Sequence, residues 1–266
     1  MQKRSYFDTA LYSIKNIKEN PVLYLPDLIF AVATLILAIL FLYLNNLTII
    51  FSGLELFANK IKEIIISKSA LAKLLVSLAV FVLLNLLVGL GIIIMRYSLI
   101  KMVVKNEKVS FSKAYKEAHK YFMSVIGLKL TFLGIYLVPI IVLLGIGLAY
   151  KKLQLLMIIL LVLVLIIIRL VFLFTYAILF LKTGKGALAT IKESINYFNN
   201  NKKHVIFTGL FVGLFGFIMT LILKLIPNNL DSFVGLSTLT ITFFIIKTLV
   251  EITFMTWSNL FIFKNY

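Results

Sequence analysis

The chain has 266 residues, 62% of them hydrophobic, and it carries a formal net charge of +17 at pH 7. A water-soluble domain has no core large enough to bury such an apolar fraction, and an outer-membrane barrel would show short alternating strands instead of long apolar runs. Several of these runs can cross roughly 30 Å of hydrocarbon as helices. The sequence therefore predicts an all-α polytopic membrane helix bundle, with residues 1–266 forming a single integral membrane domain.

Six apolar runs predict six membrane-spanning helices. In chain order they cover residues 22–44, 71–100, 123–150, 153–181, 205–226 and 233–263. Only Lys151 and Lys152 interrupt the apolar sequence between the third and fourth spans, which indicates a tight hairpin, and Pro227-Asn228-Asn229 indicates a turn between the fifth and sixth. The longer spans are expected to tilt or to project beyond the bilayer.

The distribution of basic residues predicts the orientation of these spans. The segments on the side of the two termini carry more than twice as many Lys and Arg residues as the segments on the other side. Because short cytoplasmic segments are enriched in Lys and Arg, both termini are predicted to lie in the cytoplasm and the protein in the cell membrane. Anionic lipid explains this positive charge better than nucleic acid does, so we predict no nucleic-acid partner.

Three segments share the spacing of an amphipathic helix, and each precedes a pair of spans. Their apolar positions are Phe7, Ala10, Leu11, Ile14 and Ile17 in the first, Phe111, Ala114, Tyr115, Ala118, Tyr121 and Phe122 in the second, and Ala187, Leu188, Ile191, Ser194, Ile195 and Phe198 in the third. Each is predicted to lie in the membrane interface. We therefore predict three repeats of an interfacial amphipathic helix and two spans, over residues 5–105, 109–182 and 186–264.

A short motif joins the first amphipathic helix to the first span. Ala10-Leu11 is followed by Lys18-Glu19-Asn20-Pro21-Val22-Leu23 and then by Pro26. This opening resembles that of multi-pass prokaryotic membrane proteins related to the membrane-domain family attached to some glycerophosphodiester phosphodiesterases, most of them of unknown function. In the later repeats the Asn-Pro pair is missing, and Asn199-Asn200-Asn201 stands in its place. These 266 residues contain no soluble phosphodiesterase domain, so the resemblance implies a membrane component and lends no catalytic residues.

Ionisable groups inside the predicted spans are candidates for function, because a charge in the membrane costs about 2.5–3.5 kcal/mol on insertion scales. Arg169 is predicted near the middle of the bilayer and facing the bundle interior. Arg96 and Lys129 lie nearer the cytoplasmic ends of their spans, where a long side chain can snorkel to the surface. Lys247 and Glu251 are four residues apart on one helix and can form an internal ion pair.

A second pairing is open for the same charges. Glu251 can instead be the partner of Arg169 on a neighbouring helix, so that the two line a polar cavity for a lipid headgroup or an anionic solute. Asn85 can donate to the same group. The candidate intramembrane polar network therefore consists of Arg169, Lys247, Glu251, Asn85 and Arg96.

The sequence lacks the residues that most enzyme and metal sites require. It has no cysteine and only two histidines, His119 and His204, and it contains no Gly-rich phosphate loop, no His-Glu-x-x-His helix and no Gly-x-Ser-x-Gly elbow. Glu251 is the only acidic residue in the middle of a predicted span, whereas an intramembrane hydrolase needs a nucleophile with a base or two carboxylates. We therefore predict no enzymatic activity, no cofactor and no metal site.

Two functions from different classes remain open at this point. In the first, the protein is a non-enzymatic scaffold or lipid-interacting module that binds the anionic inner leaflet through Lys113, Lys116, Lys120, Lys192, Lys202 and Lys203. In the second, it is a small-solute or lipid transporter or channel that uses its intramembrane charges, although three like-oriented repeats fit the paired inverted repeats of transporters poorly. A place in a larger membrane complex, with unknown partners, is a third hypothesis.

Overall fold

The computed structural model describes residues 5–52, 54–182, 186–225 and 238–266, and within these ranges its regular structure is helical, with no strand. The α-helices are α1 (Tyr6–Glu19), α2 (Leu25–Leu44), α3 (Leu54–Ile66), α4 (Lys68–Val104), α5 (Phe111–Ala149), α6 (Gln154–Val171), α7 (Thr175–Lys182), α8 (Ala187–Asn200), α9 (Lys202–Leu225) and α10 (Thr238–Asn265). Short 3₁₀ turns occupy Pro21–Tyr24, Thr48–Ser52 and Lys151–Leu153.

Six stretches within the described residues are long and apolar enough to cross a membrane. They are Pro21–Leu44, Lys68–Val104, Phe111–Ala149, Lys151–Lys182, Lys202–Lys224 and Ile245–Asn265. Their number and order confirm the predicted all-α, multi-pass architecture. The predicted turn at 227–229 and the first residues of the sixth predicted span, 233–237, lie outside the described residues.

The second amphipathic segment is continuous with the span that follows it. α5 runs for 39 residues without a break, so residue 123 is not the helix boundary that the sequence predicted. At 1.5 Å per residue α5 is about 58 Å long. It exceeds the roughly 30 Å of hydrocarbon, so one of its ends projects beyond the core. A segment coaxial with its span cannot lie flat in the interface, and the expected in-plane orientation is wrong for this one segment.

The sequence explains why the other two amphipathic segments are separate helices. Asn20-Pro21 ends α1, and Asn201 ends α8 before α9 begins. Asparagine competes for backbone hydrogen bonds and proline cannot donate one, so both favour helix ends. The corresponding point in α5, Met123-Ser124, contains neither residue type.

The fourth span, predicted as one helix over 153–181, is interrupted after Val171. No proline or glycine lies between α6 and α7. The hydroxyl of Ser194 in α8 donates to the carbonyl oxygen of Val171 (3.0 Å) and lies 2.9 Å from the hydroxyl of Thr175, which can donate to it. A helix in a membrane can break where neighbouring side chains satisfy the freed backbone groups. Ser194 therefore accounts for the interruption.

The chain divides into two compact units. The first comprises Met1–Leu23, Ile94–Phe215 and Trp257–Tyr266, and the second comprises Tyr24–Ile93 and Gly216–Thr256. The first unit contains a core of fully buried large side chains, contributed by the ends of α4, α7 and α10 and by α5. Among them are Leu99, Leu128, Phe174, Phe180 and Phe261.

In the second unit, two polar contacts join α2 to the first part of α4. Thr34 donates to Oδ1 of Asn85 (3.0 Å), and Ser77 donates to Oδ1 of Asn45 (2.9 Å). Such hydrogen bonds between membrane helices are worth roughly 0.6–2 kcal/mol each. Many large apolar side chains of these two helices are exposed, as expected where hydrocarbon is the solvent and the hydrophobic effect no longer drives them inward.

Candidate functional site

The first amphipathic helix, α1, buries mostly small and polar side chains and exposes large apolar ones. A capping box between Ser5 and Asp8 starts the helix. Its buried residues are Thr9, Ala10, Ser13 and Ile17. Beside this buried face, the α1 stripe follows one helical row and consists of Phe7, Leu11 and Ile14, which are 66%, 50% and 44% exposed. The apolar face predicted for this helix is therefore divided between the protein core and the surroundings.

The third amphipathic helix, α8, has the same division of its side chains. Thr190 and Ser194 are buried, whereas Leu188 is 75% exposed and Ile195 is 39% exposed. Lys192 is exposed on the same helix. We call Leu188 and Ile195 the α8 stripe. Both helices thus turn hydrogen-bonding side chains toward the protein and leave apolar side chains outside.

Three lysines near the ends of membrane helices hold the amphipathic segments in place. The contacts are Lys101 of α4 with Glu117 of α5 (3.0 Å), Lys182 of α7 with Glu193 of α8, and Lys264 of α10 with the ring of Tyr12 in α1 (4.4 Å to the centroid). The first two are ion pairs and the third is a cation–π contact. Each amphipathic segment is therefore bound to the end of a membrane helix through a positive charge.

Aromatic rings bring the same three helix ends together. Tyr97 of α4 stacks on Tyr176 of α7 (centroids 4.6 Å apart) and on Phe263 of α10 (5.3 Å). Tyr121 of α5 stacks on Phe180 of α7 (4.3 Å). Stacked aromatic pairs contribute about 0.5–1.5 kcal/mol each beyond the area they bury. The support under the amphipathic helices is therefore a packed aromatic core.

His204, at the start of α9, joins the two ends of the chain. Its Nδ1 lies 2.9 Å from the hydroxyl of Tyr6, and its Nε2 lies 2.9 Å from the backbone carbonyl oxygen of Asn265. A neutral ring with its hydrogen on Nε2 satisfies both contacts, donating to the carbonyl and accepting from the tyrosine. In the described part of the chain, no group of three or more His, Asp or Glu side chains is placed to hold a metal ion.

The structural role of His204 was not predicted from the sequence. The two partners of its ring are nearly 200 and about 60 residues away along the chain, and one of them is a backbone atom. A second contact of this kind joins Trp257 of α10 to α1, since the indole N–H donates to the carbonyl oxygen of Ala10 (3.4 Å). The only sequence signal for the contact between Trp257 and Ala10 is that Trp257 is the single tryptophan of the chain.

The lysines predicted to contact lipid have exposed side chains. They are Lys113, Lys116, Lys120, Lys192, Lys202 and Lys203. Lys113 differs from the others because it pairs with Glu107 (2.7 Å), and this hydrogen bond holds the pKa of the Glu107 carboxyl below its usual value. An exposed pair of this kind is worth about 1 kcal/mol or less. Lys113 is therefore available to lipid at a small cost.

Arg169 does not take the inward position that the sequence predicted. It lies near the end of α6, and its side chain is exposed. Its depth near the middle of the bilayer stays a prediction, because α6 and α7 together belong to one candidate span, Lys151–Lys182.

The remaining members of the predicted polar network lie on α4 and α10. Arg96 is buried, so it does not snorkel to the surface as expected. Asn85 accepts from Thr34 and donates to the carbonyl oxygen of Phe81 (2.9 Å), so its amide is used inside the α2–α4 hairpin. On α10, Lys247 is half-buried and Glu251 is exposed.

These contacts make the amphipathic helices the best-defined site of the described structure. Comparison with known proteins adds nothing to it, since no family model, no curated protein and no solved structure matches the chain.

Proposed function

We propose that the protein is a non-enzymatic membrane module that binds anionic lipid on the side of the membrane where its termini lie. The binding elements are α1, α8 and the basic residues beside them. The observation that carries this proposal is the pair of exposed apolar stripes, Phe7-Leu11-Ile14 on α1 and Leu188-Ile195 on α8. In water these side chains would be an aggregation hazard. At a membrane interface they would enter the acyl region while their helices stay in the headgroups.

The expected gain from this contact has an apolar and an electrostatic part. Complete burial of a Leu, Ile or Phe side chain is worth roughly 1.5–3 kcal/mol, so the half-exposed α1 stripe would gain about 3 kcal/mol. Lys15 and Lys18 are exposed on the same helix, and each lysine near an anionic surface adds about 1 kcal/mol. Salt screens the second part and leaves the first intact.

The motif at the α1–α2 junction fits this proposal. Asn20 ends α1, Pro21 starts the 3₁₀ turn, and Pro26 lies in the first turn of α2, while Leu23 between them is fully buried. These residues turn the chain from an interfacial helix into a span. On this basis we propose a relationship to the prokaryotic membrane family that the motif resembles.

No specific observation favours the transporter alternative. A pathway through the spans would need polar side chains that converge inside them. Arg169 is exposed near the end of α6, and Asn85 is engaged with Thr34 and Phe81. Among the described residues, these two members of the predicted network do not line a pathway, and we do not propose transport.

The proposal is tested by measuring which lipids the protein retains. We would reconstitute it in nanodiscs of mixed phosphatidylcholine and phosphatidylglycerol and count the lipids that stay bound in native mass spectrometry. Replacing Lys116, Lys120, Lys192, Lys202 and Lys203 with glutamine should lower the ratio of retained phosphatidylglycerol to phosphatidylcholine several-fold, because phosphate loses its cationic partners. Higher salt should lower the wild-type ratio in the same direction.

A matched control uses the lysines of the opposite hairpin. Lys151→Gln with Lys152→Gln changes two exposed charges on the other side of the membrane and should leave the ratio unchanged. Thermal unfolding of each variant verifies that the fold survives. Equal ratios for the wild type and the five-lysine variant, with both proteins folded, would refute the proposal.

A further inference from the structure

α3 is a short helix at the far end of the first membrane hairpin. It lies between the end of α2 and the start of α4, and only Ser67 separates it from α4. α2 ends in a tight reversal: Asn46 has a left-handed φ of 55°, and the N–H of Leu47 donates to the carbonyl oxygen of Leu42 (2.8 Å). The single-residue connection through Ser67 holds α3 next to the start of α4.

The sequence of α3 is strongly two-sided. At 100° per residue, Phe57, Ala58, Ile61, Ile64 and Ile65 occupy one continuous arc. The opposite arc carries all four charged residues, together with two exposed apolar ones: Glu55, Lys60, Lys62 and Glu63, with Leu56 and Ile66. With 13 residues, the helix is too short to cross a bilayer.

The protein covers only one edge of the apolar arc. Ile64 is buried, whereas Ile65 is 58% exposed and Ala58 is exposed. The charged face is balanced, with two acidic and two basic side chains, and Lys60 pairs with Glu63 (2.6 Å). α3 therefore offers an uncovered apolar strip next to a polar face of no net charge.

We propose that α3 is an in-plane anchor in the membrane interface on the side opposite the termini. Ala58, Ile61 and Ile65 face the acyl chains, and Lys62 and Glu63 face water. The partner is the lipid surface itself, because Ser67 alone joins α3 to the membrane helix α4, and this short link keeps the helix near the headgroups. With its balanced charge, the anchor binds zwitterionic lipid as well as anionic lipid.

The absence of cysteine from the chain makes this placement directly measurable. Single-cysteine variants at Ala58, Ile65 and Lys62 would each carry a nitroxide label in nanodiscs of pure phosphatidylcholine. Spin relaxation by oxygen, which collects in hydrocarbon, and by a water-soluble nickel chelate would be compared at each site. The oxygen-to-nickel ratio at Ala58 and Ile65 should be several-fold higher than at Lys62 and should approach that of Val32→Cys, an exposed apolar position on α2.

Two outcomes would overturn the proposal. Equal and high nickel accessibility at all three α3 sites would place the whole helix in water. Protection of Ala58 and Ile65 from both oxygen and nickel would mean that protein, such as a second copy of the chain, covers the strip. Ala58→Cys removes no large side chain, so it reports even if Ile65→Cys disturbs packing. Neither result bears on the lysine-dependent lipid binding, which concerns the other side of the membrane.

Discussion

At the scale of single residues, the core near the termini encloses polar side chains among aromatic rings. Tyr197 of α8 packs edge-on against Phe174 (centroids 5.1 Å apart), and its ring is tilted against that of Tyr266 (5.0 Å). Burial, with a smaller contribution from neighbouring Tyr266 and Tyr6, raises the pKa of Tyr197 from its ordinary value of 10.0 to about 12. The phenol is therefore held in its neutral form by the fold.

This shift predicts a loss of stability at high pH. An unfolded tyrosine ionises near pH 10, whereas folded Tyr197 keeps its proton up to about pH 12. The unfolded state thus binds fewer protons in this window, and the free energy of unfolding falls as pH rises through it. Below pH 10, the contribution of Tyr197 to the free energy of unfolding is fully present.

The measurement is a comparison of thermal unfolding between pH 8 and pH 12 for the wild type and for Tyr197→Phe. Lysines titrate in the same range, so only the difference between the two proteins reports on Tyr197. Stability of the wild type should fall more steeply above pH 10 than that of Tyr197→Phe. Parallel curves would show that the phenol titrates alike in the folded and unfolded states.

At the scale of elements, a single hydroxyl divides one span into two helices. Ser194→Ala would leave the carbonyl oxygen of Val171 and the hydroxyl of Thr175 without this partner in a buried place. An unsatisfied buried polar group costs about 1–3 kcal/mol, so the free energy of unfolding should fall by that amount. Ser112→Ala, an exposed serine on α5, is the control for a neutral change. Chemical unfolding in detergent measures both, and equal stability of the two variants would contradict the assignment.

The elements also show which parts of the fold sequence analysis predicts. Hydropathy is summed over about 20 residues. The six spans are therefore predicted even where the direction of a single side chain is predicted wrongly. Helix breaks depend on one or two atoms, and the break after Val171 depends on Ser194, which belongs to another helix. Arg169 was expected to face the bundle interior, but its side chain is exposed, so its direction was misjudged.

At the scale of the whole molecule, the candidate lipid-binding site is assembled from distant parts of the chain. Helical periodicity predicted the apolar positions of α1 and α8, but it could not say which of them face the protein. In a membrane both the protein interior and the surroundings are apolar, and small or hydroxyl side chains rather than large ones mark the protein-facing side. Thr9, Ala10 and Ser13 in α1, and Thr190 and Ser194 in α8, follow this rule. The threefold repeat stays a prediction.

His204 should couple the two ends of the molecule. In the wild type, the imidazole of His204 stacks on Phe174 with the ring centroids 5.8 Å apart. His204→Phe keeps an aromatic ring at this place but loses the contacts with Tyr6 and with the carbonyl oxygen of Asn265. Hydrogen–deuterium exchange should then rise together at the start of α1 and at the end of α10, and the free energy of unfolding should fall by about 1–3 kcal/mol. His119→Phe changes an exposed histidine on α5 and should alter neither end. Faster exchange confined to α9 would mean that the ends are held independently, by contacts such as Trp257 with Ala10 and Lys264 with Tyr12.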